Sequence, residues 1–441
     1  MPDTRTAADP AALAGDSGPH PALRVSAMAS RLVGSEVLRI AGEIRALVSA
    51  GRKVCDLTVG DFSPRQFPIP KRLRDGIAAA LERGETNYPP SDGMPELRQA
   101  VRRLYARELG LEYPVESVLV AGGARPIIYC LYRTIVDPGD RVIYPVPSWN
   151  NNHYVHLTGA SGQPVFCGPE SRFMPTRQQL LPLLPGARLL CLNSPLNPAG
   201  TTIESDLLLG ICEAVLAENE GRERRGERPL YLMYDHIYWM LTFGETAHIT
   251  PPRLVAETAR YTVFVDGISK AFAATGLRVG FAVGPTDVIA RMSAILGHMG
   301  AWAPRPEQVA TVGLLDDVWG LDEWRRDFRR GIESRLVLLH RGLQALKRLG
   351  LPVESVAPQG AIYLTARFHP FGRRTPEGVL LETNEQVRRY LLERAAFAAV
   401  PFQAFGAIDE DGWFRLSVGA VGEADIEAAL PRLQAALETL A

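Results

Sequence analysis

The residue with the clearest chemical potential is Lys270, one of only four lysines among 441 residues. It lies in the segment DGISKAF (266–272), directly after the apolar run Tyr261–Val265. A lysine amine can form an imine with an aldehyde, and nearby cations lower its pKa so that more of it is a neutral nucleophile. The other lysines fit surface positions; they are Lys53, Lys71 and Lys347. A Schiff-base role therefore falls to Lys270.

A second candidate, Asp235, ends the strongly apolar run Tyr231–Tyr234. A carboxylate at such a position is unfavourable unless it is paired or hydrogen-bonded, and a cationic ring nitrogen would be a suitable partner. The simpler alternative is that Asp235 caps a following helix, which an aspartate after a strand also does. From the residues alone, both interpretations stay open.

Two segments are suited to binding an anion such as a phosphate. Small residues at Gly122, Gly123 and Ala124 precede a helical run, where backbone N–H groups can approach an anion. A plain tight turn explains these residues equally well. Arg278, eight residues after Lys270, has a guanidinium that can clamp two phosphate oxygens.

Two more residues follow apolar runs and could contact a ligand, because ligands bind outside the carboxyl ends of parallel strands. Trp149 could stack on a planar group, although a core tryptophan is the simpler explanation. Asn197 lies in the loop NSPLNPAG (193–200), where prolines restrict the backbone and an amide can point at a ligand oxygen. A purely structural turn is the alternative for that loop.

The pattern of the chain indicates an α/β fold that would bring these strand-end residues together. Apolar residues at helical spacing predict helices over residues 35–50 and 94–109. Six β-rich runs alternate with helical stretches: Val118–Ala121, Arg141–Tyr144, Leu189–Leu192, Tyr231–Tyr234, Tyr261–Val265 and Val279–Val283. Such alternation predicts a mainly parallel, buried sheet.

The pattern changes after this series. Residues 219–228 are charged and interrupted by glycine, which predicts a surface loop or a helix end. A long amphipathic helix is predicted from about residue 325. The C-terminal part mixes helices with strands at Ala361–Thr365 and Trp413–Val418, as a smaller α+β domain would.

Composition argues against several classes of protein. Hydrophobic residues make up 46% of the chain, charged residues 22%, and the net charge is −1, which disfavours binding to nucleic acid or a membrane surface. No apolar run reaches the roughly 20 residues of a membrane span. Residues 1–23 predict a disordered tail rather than an export signal. The five cysteines lie far apart without a CxxC pair, which predicts reduced thiols, a cytoplasmic location and no metal site.

Five motifs, in the same order, resemble those of the class I and II aminotransferases, the fold-type I pyridoxal phosphate enzymes. SKAFAATGLRVGF (269–281) is similar to the family's lysine motif, NSPLNPAG (193–200) to its N-x-P-x-N-P-T-G loop, and YDHIY (234–238) to D-x-x-Y. NYPPSDGMPELR (87–98) and WFRLSVG (413–419) resemble its Y-x-x-x-x-G-x-x-x-L-R segment and its C-terminal arginine strand. The resemblance spans residues 31–441.

The resemblance implies a large domain over residues 76–324 that binds pyridoxal 5′-phosphate and has a mainly parallel seven-stranded sheet between helices. It implies a small α+β domain from residues 31–75 and 325–441, and a disordered or arm-like tail over residues 1–30. It also implies a homodimer whose small-molecule partners are an amino acid and a 2-oxo acid, with no nucleic-acid or membrane partner.

The resemblance also implies roles for individual residues. Lys270 would hold the cofactor as a Schiff base and move a proton, Asp235 would pair with its pyridine nitrogen, and Tyr238 would hydrogen-bond its phenolic oxygen. The remaining cofactor contacts would come from Gly123, Ala124, Trp149, Asn197, Ser269, Arg278 and, across the dimer interface, Tyr88. The substrate carboxylate would be bound by Gly60, Asn197 and Arg415.

Some positions depart from the family pattern or leave the substrate open. His236 stands where glutamate is common, a change that we expect not to affect the cofactor. Arg125 and Arg305 are candidate partners for a second substrate carboxylate, whereas Trp302 and Phe402 would favour an aromatic side chain.

We expect an aminotransferase that acts on aspartate and 2-oxoglutarate, with aromatic amino acids as the second choice of donor. A β-eliminating lyase is the main alternative, because the same lysine and aspartate serve elimination. A cofactor-bound regulatory or binding domain is a third alternative, but it has no DNA-binding helix pair or basic extension to support it.

Overall fold

The computed structural model describes residues 24–441, which divide between Gly34 and Ser35 into two units. In the first unit, helix α1 (Ala27–Arg31) begins after Ser26, whose side-chain oxygen accepts a hydrogen bond from the Ala29 amide. The disordered tail predicted for residues 1–23 lies outside the described residues. The second unit, residues 35–441, contains every other described element.

The elements of the second unit are as follows in chain order. The strands are β1 (Cys55–Asp56), β2 (Val118–Ala121), β3 (Arg141–Val146), β4 (Ser161–Phe166), β5 (Ala187–Asn193), β6 (Tyr231–Asp235), β7 (Thr262–Gly267), β8 (Gly280–Val283), β9 (Val353–Ser355), β10 (Tyr363–Phe368), β11 (Phe397–Ala398), β12 (Val400–Pro401) and β13 (Trp413–Ser417). The helices are α2 (Glu36–Ser49), α3 (Lys71–Glu82), α4 (Pro95–Leu104), α5 (Ala124–Ile135), α6 (Asn151–Thr158), α7 (Arg177–Leu180), α8 (Ser205–Arg225), α9 (Pro251–Leu254), α10 (Ile268–Ala271), α11 (Thr286–Met299), α12 (Arg305–Asp316), α13 (Val318–Arg348), α14 (Asn384–Ala395) and α15 (Glu423–Glu438).

The largest sheet has seven strands in the order β2-β8-β7-β6-β5-β3-β4. Strand β8 runs antiparallel to both of its neighbours, and the other pairs are parallel. The mainly parallel sheet predicted from the sequence is confirmed, and six of its strands coincide with the six predicted runs. The seventh strand, β4, was not predicted.

Both faces of this sheet are buried. Along β2, Val118 and Val120 belong to one hydrophobic cluster, whereas Leu119 and Ala121 belong to another. Because successive side chains of a strand point to opposite faces, the two clusters lie on opposite sides of the sheet. Such two-sided burial is expected of a parallel sheet covered by helices.

A four-stranded antiparallel sheet in the order β12-β13-β10-β9 follows later in the chain, and β1 pairs in parallel with β11. Helix α13 contributes Leu336, Leu339 and Leu343 to the hydrophobic cluster that also contains the inner residues of β10 and β13. Their spacing of three to four residues places these leucines on one helix face. The boundaries proposed for a large and a small domain stay a prediction.

The structure defines the ends of three segments that the sequence predicted to be helical or to hold a loop or a helix end. The helix predicted over residues 94–109 is α-helical only to Leu104 and continues as a π-helix over Tyr105–Leu109. The charged segment 219–228 is mostly the end of α8, which runs to Arg225. The helix predicted from about residue 325 begins at Val318. No helix of residues 24–441 is long and apolar enough to cross a bilayer.

Candidate active site

A cavity of about 370 Å³ lies where the parallel strands of the large sheet end. Its lining includes residues that follow five different strands: Ala124 after β2, Trp149 after β3, Asn193 at the end of β5, Asp235 at the end of β6, and Lys270 after β7. A larger surface groove of about 850 Å³ between α3, α12 and α13 contains none of the predicted site residues. The cavity at the strand ends is therefore the candidate active site.

Lys270 lies in the one-turn helix α10 and is partly buried in this cavity. Its Nζ donates a hydrogen bond to the carbonyl oxygen of Gly60 at 2.6 Å. The pKa of Lys270 is lowered to about 8, mainly by burial and also by nearby arginines, whereas Asp61 raises it. A substantial fraction of this amine is neutral near pH 8, as a nucleophile or a general base requires.

Asp235 ends β6 and faces the same cavity. Its Oδ1 accepts a hydrogen bond from the Ile237 amide at 3.2 Å. Burial raises the pKa of Asp235 to about 7, although that hydrogen bond lowers it. A cation placed against this carboxyl would favour its ionised form, so the site suits a protonated ring nitrogen.

Arg415, in β13, is buried and meets groups from two distant parts of the chain. Its Nη1 donates to Asn197 Oδ1 at 3.1 Å, and its Nη2 donates to the carbonyl oxygen of Thr58 at 2.6 Å. Its Nε is buried without a hydrogen-bond partner among the described residues. A buried guanidinium with spare donors at a cavity wall is suited to binding a carboxylate.

Two tyrosines complete this wall of the cavity. The hydroxyl groups of Tyr238 and Tyr363 are 2.6 Å apart, and the guanidinium of Arg415 lies 4.6 Å from the ring centre of Tyr363. Gly60 leaves space for them, because a Cβ there would be 2.9 Å from the Tyr363 hydroxyl. Gly60 therefore allows Lys270, Arg415 and Tyr363 to share one wall.

The start of α5 forms a cationic cradle with Arg278. Arg278 donates to the carbonyl oxygens of Thr275 at 2.7 Å and Gly122 at 3.0 Å. Gly123 has a φ of +95°, and a Cβ there would overlap the Arg278 guanidinium. Burial and the nearby Arg125 lower the pKa of Arg278. Cations gathered at a helix N-terminus favour a bound anion such as phosphate.

Other cavity residues include aromatic and polar side chains. Trp149 lines the cavity, and the guanidinium of Arg125 lies 5.5 Å from its ring centre. Ser269 also lines the cavity. The Oδ1 of Asp61 accepts a hydrogen bond from the Thr275 hydroxyl at 2.6 Å, which links the segment before α3 to the loop before Arg278.

The residues considered from the sequence that lie outside the cavity lining include Tyr88, Trp302, Arg305, Phe402 and Gly123, the last of which directly precedes the lining residue Ala124. Tyr88 is 82% exposed, and its ring packs 5.3 Å from that of Trp302. Arg305 donates to Glu85 Oε2 at 2.6 Å, so it already has a carboxylate partner. Phe402 is buried in the core.

Tyr363, Thr275 and Asp61 are among the lining residues that the sequence reasoning missed. Tyr363 lies within a strand pattern that gave no sign of a hydroxyl facing a ligand. Thr275 is part of the TGLRVG segment, and Asp61 directly follows the predicted Gly60. Both could have been found from their neighbourhood in the motifs.

The comparisons with known proteins agree with this geometry. The sequence profile of the family described as "Aminotransferase class I and II" matches residues 52–433. The aspartate aminotransferase of Rhizobium meliloti (strain 1021) is 31% identical over 430 residues, which cover 96% of this chain and 98% of that protein.

Solved structures are also similar. The crystal structure of the aspartate aminotransferase from Rhizobium meliloti matches with a TM-score of 0.85 and 30% identity, covering 95% of this chain and 99% of that one. The aspartate aminotransferase from Thermus thermophilus with maleate matches with a TM-score of 0.82 and 28% identity, covering 94% and 99%.

Proposed function

This chain belongs to the class I and II aminotransferases, and we propose that Lys270, Asp235 and Arg415 are the groups with which it performs transamination. It is a pyridoxal phosphate-dependent aminotransferase of the fold-type I architecture. The observation that carries the residue assignment is the placement of all three side chains on one cavity of about 370 Å³. A lyase, the main alternative from the sequence, has no counterpart among the relatives named above.

The residues present fit the cofactor on three independent features. The cradle of Gly123, the α5 N-terminus and Arg278 suits its phosphate. No cationic side chain of residues 24–441 is paired with Asp235, and a protonated pyridine nitrogen would supply that partner. Trp149 offers a ring on which a planar group would stack, and Ala124 and Ser269 line the same space.

When bound, pyridoxal phosphate supplies an electron sink for the negative charge that forms on the substrate α-carbon. Asp235 would keep the ring nitrogen protonated, because an ionised carboxylate favours the neighbouring cation. Tyr238 would donate to the phenolic oxygen together with the amide of Asn197. Lys270 would hold the cofactor. With its pKa lowered to about 8, its amine would then take a proton from the substrate α-carbon and deliver it to the C4′ atom of the cofactor.

Arg415 would orient the substrate through its α-carboxylate. Hydrogen bonds from its two Nη atoms to Asn197 and Thr58 hold the guanidinium at the cavity wall, and each Nη keeps a second N–H with which a carboxylate can pair. Because the side chain is buried, solvent competes weakly for the bound carboxylate. Gly60 would let that carboxylate approach the backbone.

We propose aspartate and 2-oxoglutarate as the substrates. The relatives are aspartate aminotransferases, one of them solved with maleate, a dicarboxylate. Arg125 lines the cavity, whereas Arg305 is paired with Glu85, so Arg125 is the better partner for a second carboxylate. Phe402 is buried in the core and Trp302 does not line the cavity, which weakens the alternative of an aromatic donor.

A matched pair of variants tests the substrate. Arg125→Gln should raise KM for aspartate and for 2-oxoglutarate about tenfold, since a charge-assisted hydrogen bond is lost. Arg305→Gln should leave both values unchanged. An equal change in KM for phenylalanine in Arg125→Gln would contradict the proposed role.

We also propose a homodimer in which Tyr88, exposed on the single chain, reaches the phosphate in the partner subunit. Sedimentation of the purified protein and the cofactor affinity of Tyr88→Phe would test this. A cytoplasmic location is proposed from the cysteines, all five of which are free and buried.

The function itself is tested by an absorbance spectrum of the holoenzyme, recorded before and after addition of aspartate without any oxo acid. Conversion of the pyridoxal band to the pyridoxamine form, with release of oxaloacetate, is the expected result. In the same experiment with cysteine in place of aspartate, release of pyruvate, ammonia and sulfide with the original band regained would instead identify a lyase. Absence of any cofactor band would refute the role of Lys270.

A further inference from the structure

A group of buried polar side chains lies next to the catalytic residues in sequence but outside the cavity. We call it the Asp266 network, and its members are Tyr105, His236, Trp239, His248 and Asp266. His236 directly follows Asp235, and Asp266 precedes Lys270 by four residues. The network thus joins the two strand ends, of β6 and β7, that carry Asp235 and Lys270.

Asp266 is the centre of the network. Its Oδ2 accepts hydrogen bonds from Trp239 Nε1 at 2.8 Å and from the Tyr105 hydroxyl at 3.2 Å, and its Oδ1 accepts from the Gly267 amide at 2.7 Å. The Gly267 bond lies at the point where β7 turns into the helix that bears Lys270.

The two histidines extend the network beyond Tyr105. Burial lowers the pKa of His236 and, to about 3, that of His248, so each ring carries one N–H at neutral pH. The Tyr105 hydroxyl lies 2.8 Å from His236 Nε2, and His236 Nδ1 lies 3.2 Å from His248 Nε2, so hydrogen bonds connect the three side chains.

Tyr105 reaches this network from the first residue of the π-helix that ends α4. Single turns of π-helix commonly occur at functional sites, because they displace a side chain from its α-helical position. Here the displaced tyrosine bridges His236 and Asp266, whose Nε2 and Oδ2 atoms are 3.7 Å apart.

We propose that the Asp266 network is a positioning device that holds Asp235 and Lys270 at their working separation. A buried polar network is costly to desolvate, and apolar side chains of similar size would fill the same space. Its benefit is geometric: each bond has a fixed direction, so the two strand ends cannot slide relative to each other. The inference rests on the proposed roles of Asp235 and Lys270, and it differs from the expectation that His236 has no effect on the cofactor.

The test compares two tyrosine variants of the holoenzyme. Tyr105→Phe removes the bridging hydroxyl and little else. Tyr113→Phe is the matched control: its hydroxyl is also buried but has no hydrogen-bond partner among the described residues, and both rings pack edge-on against Phe264. The measurements are kcat, KM, the visible circular dichroism of bound pyridoxal phosphate, and the thermal unfolding midpoint.

We expect Tyr105→Phe to lower kcat about tenfold with KM within about twofold, because misplaced reacting groups slow the chemical step. The circular dichroism of the bound cofactor should change as well, and Tyr113→Phe should leave both unchanged. A lower unfolding midpoint in Tyr105→Phe with wild-type kcat and circular dichroism would show a purely structural network and overturn the proposal.

Should Tyr105→Phe fail to fold, Trp239→Phe removes another donor to Asp266. Its kcat and the circular dichroism of its bound cofactor are then compared with those of the wild type in the same way. The proposed function fails separately: a wild-type protein without a cofactor band would refute the role of Lys270. A wild-type band that stays unaltered in the variants would refute the positioning role alone.

Discussion

The ends of β6 and β7 carry two groups of buried polar residues: those that line the cavity, which we call the cavity side, and the Asp266 network, which we call the network side. The two sides differ in how many of their polar groups have hydrogen-bond partners. Burial raises the pKa of Asp235 to about 7 and that of Asp266 to about 8. Asp235 accepts one backbone hydrogen bond, whereas Asp266 accepts three hydrogen bonds. On the cavity side, the Nε of Arg415 also lacks a partner among the described residues.

This difference teaches where a ligand belongs. Buried polar groups are nearly always paired in folded proteins, so a buried group without a partner indicates a missing one. The network side is complete within the folded chain. Within the part of the chain that the structure describes, the cavity side has no cation paired with Asp235 and no anion paired with Arg415, and an amino acid with its cofactor would supply both.

The largest loss of activity on the cavity side is expected from Lys270→Ala. We expect turnover to fall at least about 10⁴-fold, because the covalent anchor and the proton carrier are lost together. The fold should survive, since removing a buried amine relieves its desolvation. Lys347→Ala, at an exposed ion pair with Glu354, is the control and should keep full activity. Turnover at the wild-type rate in Lys270→Ala would contradict the assignment of Lys270.

The next largest effect is expected from Asp235→Asn, which keeps the shape of the side chain but removes its charge. Turnover should fall by roughly 10²–10³-fold, because the ring nitrogen would no longer be held protonated. Steady-state kinetics with aspartate measure this effect. The exposed Asp206 in the first turn of α8 provides the control Asp206→Asn. Equal losses in the two variants would show that the charge of Asp235 is not what matters.

Arg415→Lys tests the part of the cavity that is proposed to bind the substrate α-carboxylate. An ammonium cannot reproduce the planar fork of a guanidinium, so KM for aspartate should rise about 10- to 100-fold, with a smaller change in kcat. Arg330→Lys, at a side chain that is 74% exposed, should change neither value. Saturation curves that match the wild type would exclude Arg415 from carboxylate binding.

The smallest effect concerns the stability of the protein without cofactor. The pKa of Asp235 is raised from 3.8 to about 7 on folding, so the folded state holds a proton that the unfolded state releases in this range. Folding stability should therefore fall as pH rises from about 4 to 7. Asp235→Asn should remove this loss and stabilise the apo-protein by about 1–2 kcal/mol at pH 8.

Denaturant unfolding at pH 5 and pH 8 measures this effect. The difference between wild type and Asp235→Asn should shrink at pH 5, because the folded-state carboxyl is still protonated there and only the part of the stability loss between about pH 4 and 5 has occurred. Saturating the wild type with pyridoxal phosphate should reverse the order at pH 8, because the cofactor binds the folded state. An Asp235→Asn variant that is less stable than wild-type apo-protein at pH 8 would contradict the claim that burial destabilises the ionised form of Asp235.

The misses of the sequence reasoning have separate physical causes. Strand β4 contains Gly162 and Pro164, which weaken any strand pattern, and it is an edge strand, where a proline is tolerated. The charged end of α8 stays helical because buried Arg222 donates to the carbonyl oxygens of Leu184 and Ala187. Such contacts come from distant parts of the chain and leave no local signal.

The sequence by itself determined the alternation of strands and helices, and with it the parallel sheet, because hydrophobic periodicity is a local property. It also identified Lys270, Asp235 and Arg278 as strand-end residues with the right chemistry. Only the tertiary structure decided that Tyr363 and Asp61 line the cavity and that Tyr105 meets His236 and Asp266. These contacts join residues more than a hundred positions apart, and packing in three dimensions alone determines which of them meet.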